Sequence, residues 1–267
     1  MQNRVKVTDP ENAPERDIRT FFETDLGLSV YRIPTSAART PDFLVDGDPP
    51  GYILEVKGRF DDKESRARFN QGEIVSGSES IGWAPWTADT LRDARHQFAS
   101  FDPQHQRIWI PCFAIRRSFA VEAVFDQVIG TLYGVRQVAY AGETENATEG
   151  RSCLHVVPGA FERWPEIDGA IVSSGNAITL CVNEFSERVS VVEDSGLCRF
   201  FAKLGGPICP RRLESTKGFW SVDYQRIDRS DERAVGLHLA EKYRVSRVFI
   251  LDVNSHYASC IVPDASL

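Results

Sequence analysis

The sequence predicts an α/β fold, with a mixed β-sheet flanked by helices over residues 1–140 and an α+β region over 151–267. Three observations carry this expectation. Apolar residues recur at helical spacing in two separate stretches, 14–26 and 89–101. Short apolar runs rich in β-branched and aromatic residues lie between turn-forming segments, as strands do. The polar segment AGETENATEG at 141–150 marks the best linker, and the pattern beyond it becomes richer in strands.

The first helix is expected over 14–26. Pro14 suits a first turn, Glu15 and Asp17 suit its positive end, and Ile18, Phe21, Phe22 and Leu26 form an apolar stripe. Gly27 sits where helices commonly stop. Leu28–Ile33 reads as a strand, and two more apolar runs follow, at 42–45 and 52–57. A charged, loop-like stretch is expected from Gly58 to Thr87. A helix over 89–101 comes next, with Leu91, Ala94, Phe98 and Phe101 on or near one face. Arg107–Ile115 reads as a strand despite Pro111, and a helix follows over 119–132. In the second half, 167–182 reads as a hairpin turning at 174–176, RVSVV as a strand, 230–243 as a helix and 246–253 as a strand.

A hydrophobic fraction of 42% and a charged fraction of 26% are those of a soluble globular chain, with disorder expected only in the first and last few residues. No apolar run approaches the length of a membrane span, and the N-terminus lacks the apolar core of a secretory signal, so a cytoplasmic protein without a membrane partner is expected. The six cysteines lack C-x-x-C spacing and read as small buried hydrophobes rather than zinc ligands or disulfides. No G-x-x-x-x-G-K-[ST] loop is present, which speaks against ATP use. A net charge of -7 argues against non-specific coating of nucleic acid, while leaving room for a local basic groove.

The chemistry is concentrated in the segment 42–57. DGDPPG between the two apolar runs predicts a hairpin. With the turn centred between Asp48 and Pro49, residues whose numbers sum to 97 face each other, so Asp42 lies opposite Glu55. Carbon-β atoms of such a pair are about 4.5–5.5 Å apart, a distance one divalent cation can bridge. Lys57 falls on the same face as Glu55; a slip of two residues preserves this, and a slip of one destroys it. Both faces of the hairpin are otherwise apolar, with Leu44 and Ile53 beside the acids and Phe43, Val45, Leu54 and Val56 behind them. Acids in such a setting are costly to desolvate unless they are paired or bind a cation. Mg²⁺ suits them, since it takes one or two protein carboxylates and keeps several waters. The Val56 carbonyl is a further candidate ligand.

PDF at 41–43 followed by LEVK at 54–57 resembles the bipartite motif of the PD-(D/E)XK nucleases, the restriction-endonuclease-like superfamily. The preceding order is similar to that of archaeal Holliday-junction resolvases: a helix bearing a glutamate, a glycine, a strand ending in Ile33-Pro34, then a small-residue loop with serine. The resemblance covers about residues 14–116. It implies a restriction-endonuclease-like core, Mg²⁺- or Mn²⁺-dependent endonuclease activity, and DNA rather than RNA as partner. By it Asp42 and Glu55 bind the metal, Lys57 assists the attacking water, and Glu15 completes the metal shell, with Glu23 a poorer match. It also places a glutamine on the helix after the lysine strand, for which Gln97 is the candidate. A two-fold homodimer is expected by analogy with enzymes that cut both strands.

Other readings stay open. The three charges form either a salt-bridged cluster at a strand end or the site of an inactive relative that binds nucleic acid or regulates. For Glu15 the simpler role is stabilising a helix start. Arg59, Lys63, Arg66 and Arg68, and then Arg92 and Arg95, are either phosphate contacts or solvated surface; Trp83 and Trp86 either stack on bases or anchor a loop. Arg211 and Arg212 are weaker candidates for phosphate contact, and no motif assigns a role to 151–267.

Overall fold

The computed structural model describes residues 11–34, 39–80, 82–141, 148–175, 177–210, 219–252 and 254–259. The chain termini expected to be disordered, Arg211, Arg212 and Cys260 lie outside the described residues. In chain order the strands are β1 (Ser29–Arg32), β2 (Phe43–Asp46), β3 (Tyr52–Phe60), β4 (Val75–Ser80), β5 (Ile108–Arg116), β6 (Arg136–Ala141), β7 (Thr148–Leu154), β8 (Gly169–Ser173), β9 (Ile178–Val182), β10 (Phe219–Ser221), β11 (Arg247–Leu251) and β12 (Asn254–Ser259). Mixed sheets flanked by helices make this an α/β protein. Among the described residues no helix is long and apolar enough to cross a membrane.

The chain forms two compact units that interleave in sequence. One takes Met1–Arg59, Asp89–Ala114 and Trp164–Pro207; the other takes Phe60–Ala88, Ile115–Arg163 and Ile208–Leu267. This differs from the linear division expected near 141–150. Two pairings account for the difference. β8 joins β5 in parallel, with Cys112 opposite Ile171, so a late segment completes an early sheet. β6 and β7 pair antiparallel with Ala141 opposite Thr148, which makes the polar segment a hairpin connection; residues 142–147 themselves lie outside the described residues.

In the first unit the sheet order is β1-β2-β3-β5-β8-β9. Asn12 caps the helix Ala13–Thr20 in a reciprocal capping box with Glu15, and the chain continues as a π-helical turn over Phe21–Asp25. Its apolar stripe is buried at Ile18, Phe21 and Phe22, and Phe22 meets Tyr52 edge-on with ring centroids 5.9 Å apart. The helix Pro85–Phe101 buries Leu91, Ala94 and Phe98, whereas Phe101 is exposed at the end of the last turn. β3 from Tyr52 to Val56 and β5 from Ile108 to Ile115 are buried on both faces. Pro111 sits inside β5, one residue before Cys112, which pairs with Ile171 of β8. The stretch RVSVV is helical over Val189–Glu193 rather than extended.

The second unit holds the four-stranded sheet β10-β7-β6-β11 and the pair β12-β4. The helix Glu232–Tyr243 packs Val235 and Leu239 into a cluster with Val138, Cys153, Val156 and Val222. The charged stretch read as a loop is instead the end of β3, the helix Lys63–Asn70 and β4. Its helix buries no residue, so it carries no apolar periodicity; the cap Asp62, which accepts from Ser65 N at 2.8 Å, was its one sequence signal. Cys112, Cys153, Cys181, Cys198 and Cys209 are free and buried.

The turn that sets the β2–β3 register ends at Gly51, with φ +84°, where a carbon-β would lie 2.8 Å from Val45 O. Gly51→Ala is expected to cost about 2 kcal/mol or more, from the left-handed backbone and the overlap together. Chemical denaturation checks this: an unchanged midpoint would show that the turn relaxes freely.

Candidate active site

The observed β2–β3 pairing is the one expected: Phe43 faces Leu54, Leu44 faces Ile53 and Val45 faces Tyr52. The ladder stops at Phe43; Asp42 lies one residue before β2, and its N–H turns to Leu54 rather than to Glu55. There Asp42 replaces backbone with side chain: its N–H donates to Leu54 O at 3.0 Å, while Oδ2 accepts the Val56 N–H at 2.7 Å. Ile33 N–H in turn donates to Asp42 O at 2.9 Å, so the residue is held from both neighbouring strands.

Glu55 is 2% exposed, and its Oε1 lies 2.5 Å from Lys57 Nζ, whose side chain reaches solvent. Burial and the neighbouring Asp42 charge push Glu55 up to about 7, against the opposing pull of Lys57 and Gln97. Burial likewise raises Asp42 above the usual carboxylate range, with Glu15 adding to it, although the Val56 N–H, Lys57 and Arg32 favour the ionised form. For Lys57 burial acts to lower the value, but Glu55, Asp42 and Glu15 together hold it above that of an ordinary lysine. The ammonium therefore stays charged across the physiological range.

Gln97, on the helix Pro85–Phe101, is 8% exposed and close enough to Glu55 to favour its ionised form. Among the described residues Gln97 Oε1 and Glu55 Oε2 are both buried without a hydrogen-bond partner. Such orphaned acceptors cost about 1–3 kcal/mol each. Turning the amide over would offer Nε2 to Glu55; a cation would satisfy both oxygens at once. Cys112 on β5 is fully buried, and its thiol is pushed well up by burial and by the charges of Asp42 and Glu55. It stays protonated.

Glu15 is near enough to act electrostatically on Asp42 and Lys57, but both of its oxygens are engaged. Oε1 accepts from Asn12 Nδ2 at 2.6 Å, and Oε2 accepts from Asn12 N at 3.2 Å and from Arg32 Nη1 at 2.5 Å. Sequence reasoning missed Arg32. It sits opposite Phe43 on β1, its guanidinium 5.8 Å from that ring, and an arginine beside a buried strand face was the available signal. Glu23 pairs with Arg19 at 3.8 Å on the outer side of its helix and stays half-exposed.

Among the described residues no group of three or more His, Cys, Asp or Glu side chains is set to hold a metal ion. The cluster offers two carboxylates because Arg32 and Asn12 occupy the third. Two carboxylates, an amide oxygen and a charged amine nonetheless suit a hydrated Mg²⁺, which needs only one or two carboxylates from the protein. Compared with protein-family models, curated proteins and solved structures, the chain gives no match.

Several of the weaker candidates have ion-pair or ring partners of their own. Arg92 pairs with Asp89 at 2.8 Å, Arg95 with Glu166 at 2.7 Å and Arg68 with Glu73 at 2.8 Å, all on partly or largely exposed surface. Trp83, in the second unit, lies under the Arg163 guanidinium at 4.1 Å, as a loop anchor does.

The raised Glu55 fixes a sign. The folded state holds the proton more tightly than the unfolded chain, so this group's contribution to stability is greatest below the ordinary glutamate value of 4.5 and falls as pH rises toward about 7. Above that the ionised group costs roughly 3 kcal/mol. Glu55→Gln should therefore raise the melting midpoint at pH 8 and leave it nearly unchanged at pH 4.5; equal effects at both values would refute the buried-acid account. Arg32→Leu strands Glu15 in a buried setting and should cost about 3 kcal/mol by denaturant titration. A loss no larger than that of an exposed ion pair would contradict this assignment.

Proposed function

We propose that the chain is a metal-dependent nuclease that hydrolyses phosphodiester bonds of nucleic acid, with DNA the favoured substrate, and that its core is of the restriction-endonuclease-like type. The single observation that carries this reading is the cluster at the end of the β2–β3 hairpin: the buried Glu55 with one orphaned oxygen, the half-buried Asp42 held by the Val56 N–H, and an adjacent ammonium. An ion pair kept only for stability has no need of a second acid that raises the pKa of the first.

Asp42 and Glu55 would hold the cation, Mg²⁺ or Mn²⁺, with Gln97 and the Val56 carbonyl as further candidate ligands. When bound, such an ion polarises a phosphoryl oxygen and makes an attacking water more acidic. The chain's own residues do the rest. Asp42 is fixed through Oδ2 by the Val56 N–H, which leaves Oδ1 without a hydrogen bond among the described residues. Glu55 is oriented through Oε1 by Lys57, so Oε2 faces the site without a competing partner among the described residues. Lys57 brings a fixed positive charge to the half-exposed mouth, where it can orient a water and offset charge building on phosphorus. Glu15 contributes by its field, its oxygens being held by Asn12 and Arg32.

The decisive experiment measures Mn²⁺ binding by calorimetry and Mg²⁺-dependent cleavage of supercoiled, linear, branched and single-stranded substrates. Wild type is expected to cleave at least one of them, and Glu55→Ala and Lys57→Ala to lose about a hundredfold or more in rate, as when a principal charge-stabilising group is removed. Cleavage that persists unchanged in both variants would assign the activity to another site. A protein that binds nucleic acid but neither Mn²⁺ nor any substrate productively would be the inactive relative.

A further inference from the structure

We propose that Tyr31 is a stacking platform for an unpaired base of the substrate strand, beside the phosphate that a cation at Asp42 and Glu55 would bind. This rests on the nuclease reading of that site and deepens it by naming the substrate class: a strand with at least one base out of the duplex stack.

The register places the ring. Tyr31 on β1 faces Leu44 on β2, and Leu44 faces Ile53 on β3, so these three share one face of the sheet. Ile53 is two residues from Glu55, which puts Glu55 and Lys57 on that face as well. From Tyr31 to Glu55 is two strand spacings across and one two-residue repeat along, roughly 12 Å between backbones. A tyrosine ring and a single nucleotide span that gap together.

The two ends of this face differ sharply in exposure. Ile53 and Glu55 are buried at the centre, and Leu44 is partly covered. Tyr31, on the edge strand, is 54% exposed, and its side chain makes no hydrogen bond, ion pair or ring contact among the described residues. Its neighbours show how different that is: Phe21, Phe22, Phe43 and Tyr52 are all buried. A single exposed aromatic residue is ordinary on a protein surface; an exposed one on the same sheet face as a buried acid and a charged lysine is placed to be used. Arg39 is 79% exposed and lies 3.6 Å from Asp93, one helical turn before Gln97 on the same helix. It supplies positive charge for a phosphate on the same strand, with only a weak exposed ion pair to give up. Aromatic faces accept every base with little sequence preference, and a base within a duplex is not free to stack.

The test titrates a labelled single-stranded oligonucleotide and a matched blunt duplex into wild type, Tyr31→Leu, Tyr31→Phe and Tyr31→Trp, with Ca²⁺ as the cation. Loss of the ring should weaken single-strand binding about tenfold in Tyr31→Leu. Tyr31→Phe and Tyr31→Trp should bind like wild type, and duplex binding should not change. Leucine preserves bulk and apolarity, so a packing role would not separate it from phenylalanine. The inference is overturned if Tyr31→Leu binds the single strand as wild type does, if Tyr31→Phe loses as much as Tyr31→Leu, or if no protein in the set binds it. Cleavage of the same oligonucleotide in Mg²⁺, compared with Glu55→Ala, keeps the two ideas apart. Ring-dependent binding with no cleavage of this oligonucleotide or of the supercoiled, linear and branched substrates sinks the nuclease reading alone, whereas Glu55-dependent cleavage with ring-independent binding sinks the role of Tyr31 alone.

Discussion

An acid two positions beyond a fully apolar strand centre is the constraint on which the site depends. Ile53 and Leu54 are completely buried, and Glu55 follows them into the same environment with only one of its oxygens paired. Everything nearby answers that charge in part. Lys57 supplies an ammonium, Gln97 an amide, and the Val56 N–H steadies the second acid, Asp42. The compensation is incomplete, since burial still wins over these partners in setting the Glu55 proton affinity. Stability alone would favour an uncharged side chain at such a position; sites that give up stability in this way are commonly those kept for chemistry.

Much of the first unit was legible because its local signals agree with its tertiary environment. Centring the Pro-Gly-rich turn between Asp48 and Pro49 put the β2–β3 register at the sum of 97, and the structure has that register from Phe43 to Val45. Helices announced themselves where they bury a stripe, as at Ile18, Phe21 and Phe22 or at Leu91, Ala94 and Phe98. The helix Lys63–Asn70 failed to do so because it buries nothing and hence has no period to read. RVSVV carries strong strand propensity, yet it turns as a short helix whose buried residue is Val192. Tertiary packing overrode local preference there. Likewise the parallel pairing of β5 with β8 leaves no local trace, because its partners are far apart in sequence and both are simply apolar.

The site itself was readable only as far as charges stand out against apolar surroundings. Asp42, Glu55 and Lys57 did, and their common location follows from strand periodicity. The state of Glu15 did not follow, because the arginine that engages it lies 17 residues away on β1 and the engagement is purely three-dimensional. Burial of Gln97 was also hidden, since a glutamine on an amphipathic helix faces water or core according to a quarter-turn that propensity does not resolve. Tyr31 looked like any strand tyrosine until the sheet order made β1 an edge.

The interleaved units have a consequence for synthesis. Each is stitched from three stretches of chain, and the unit bearing the acid pair draws its last stretch from Trp164–Pro207. A nascent chain therefore cannot finish that sheet until β8 and β9 have emerged, long after Asp42, Glu55 and the apolar strand β5 have left the ribosome. During that interval β5 lacks the neighbour that would cover its open edge, the condition under which nascent chains are prone to stick to one another. Delayed completion of the sheet is thus built into the order of the segments.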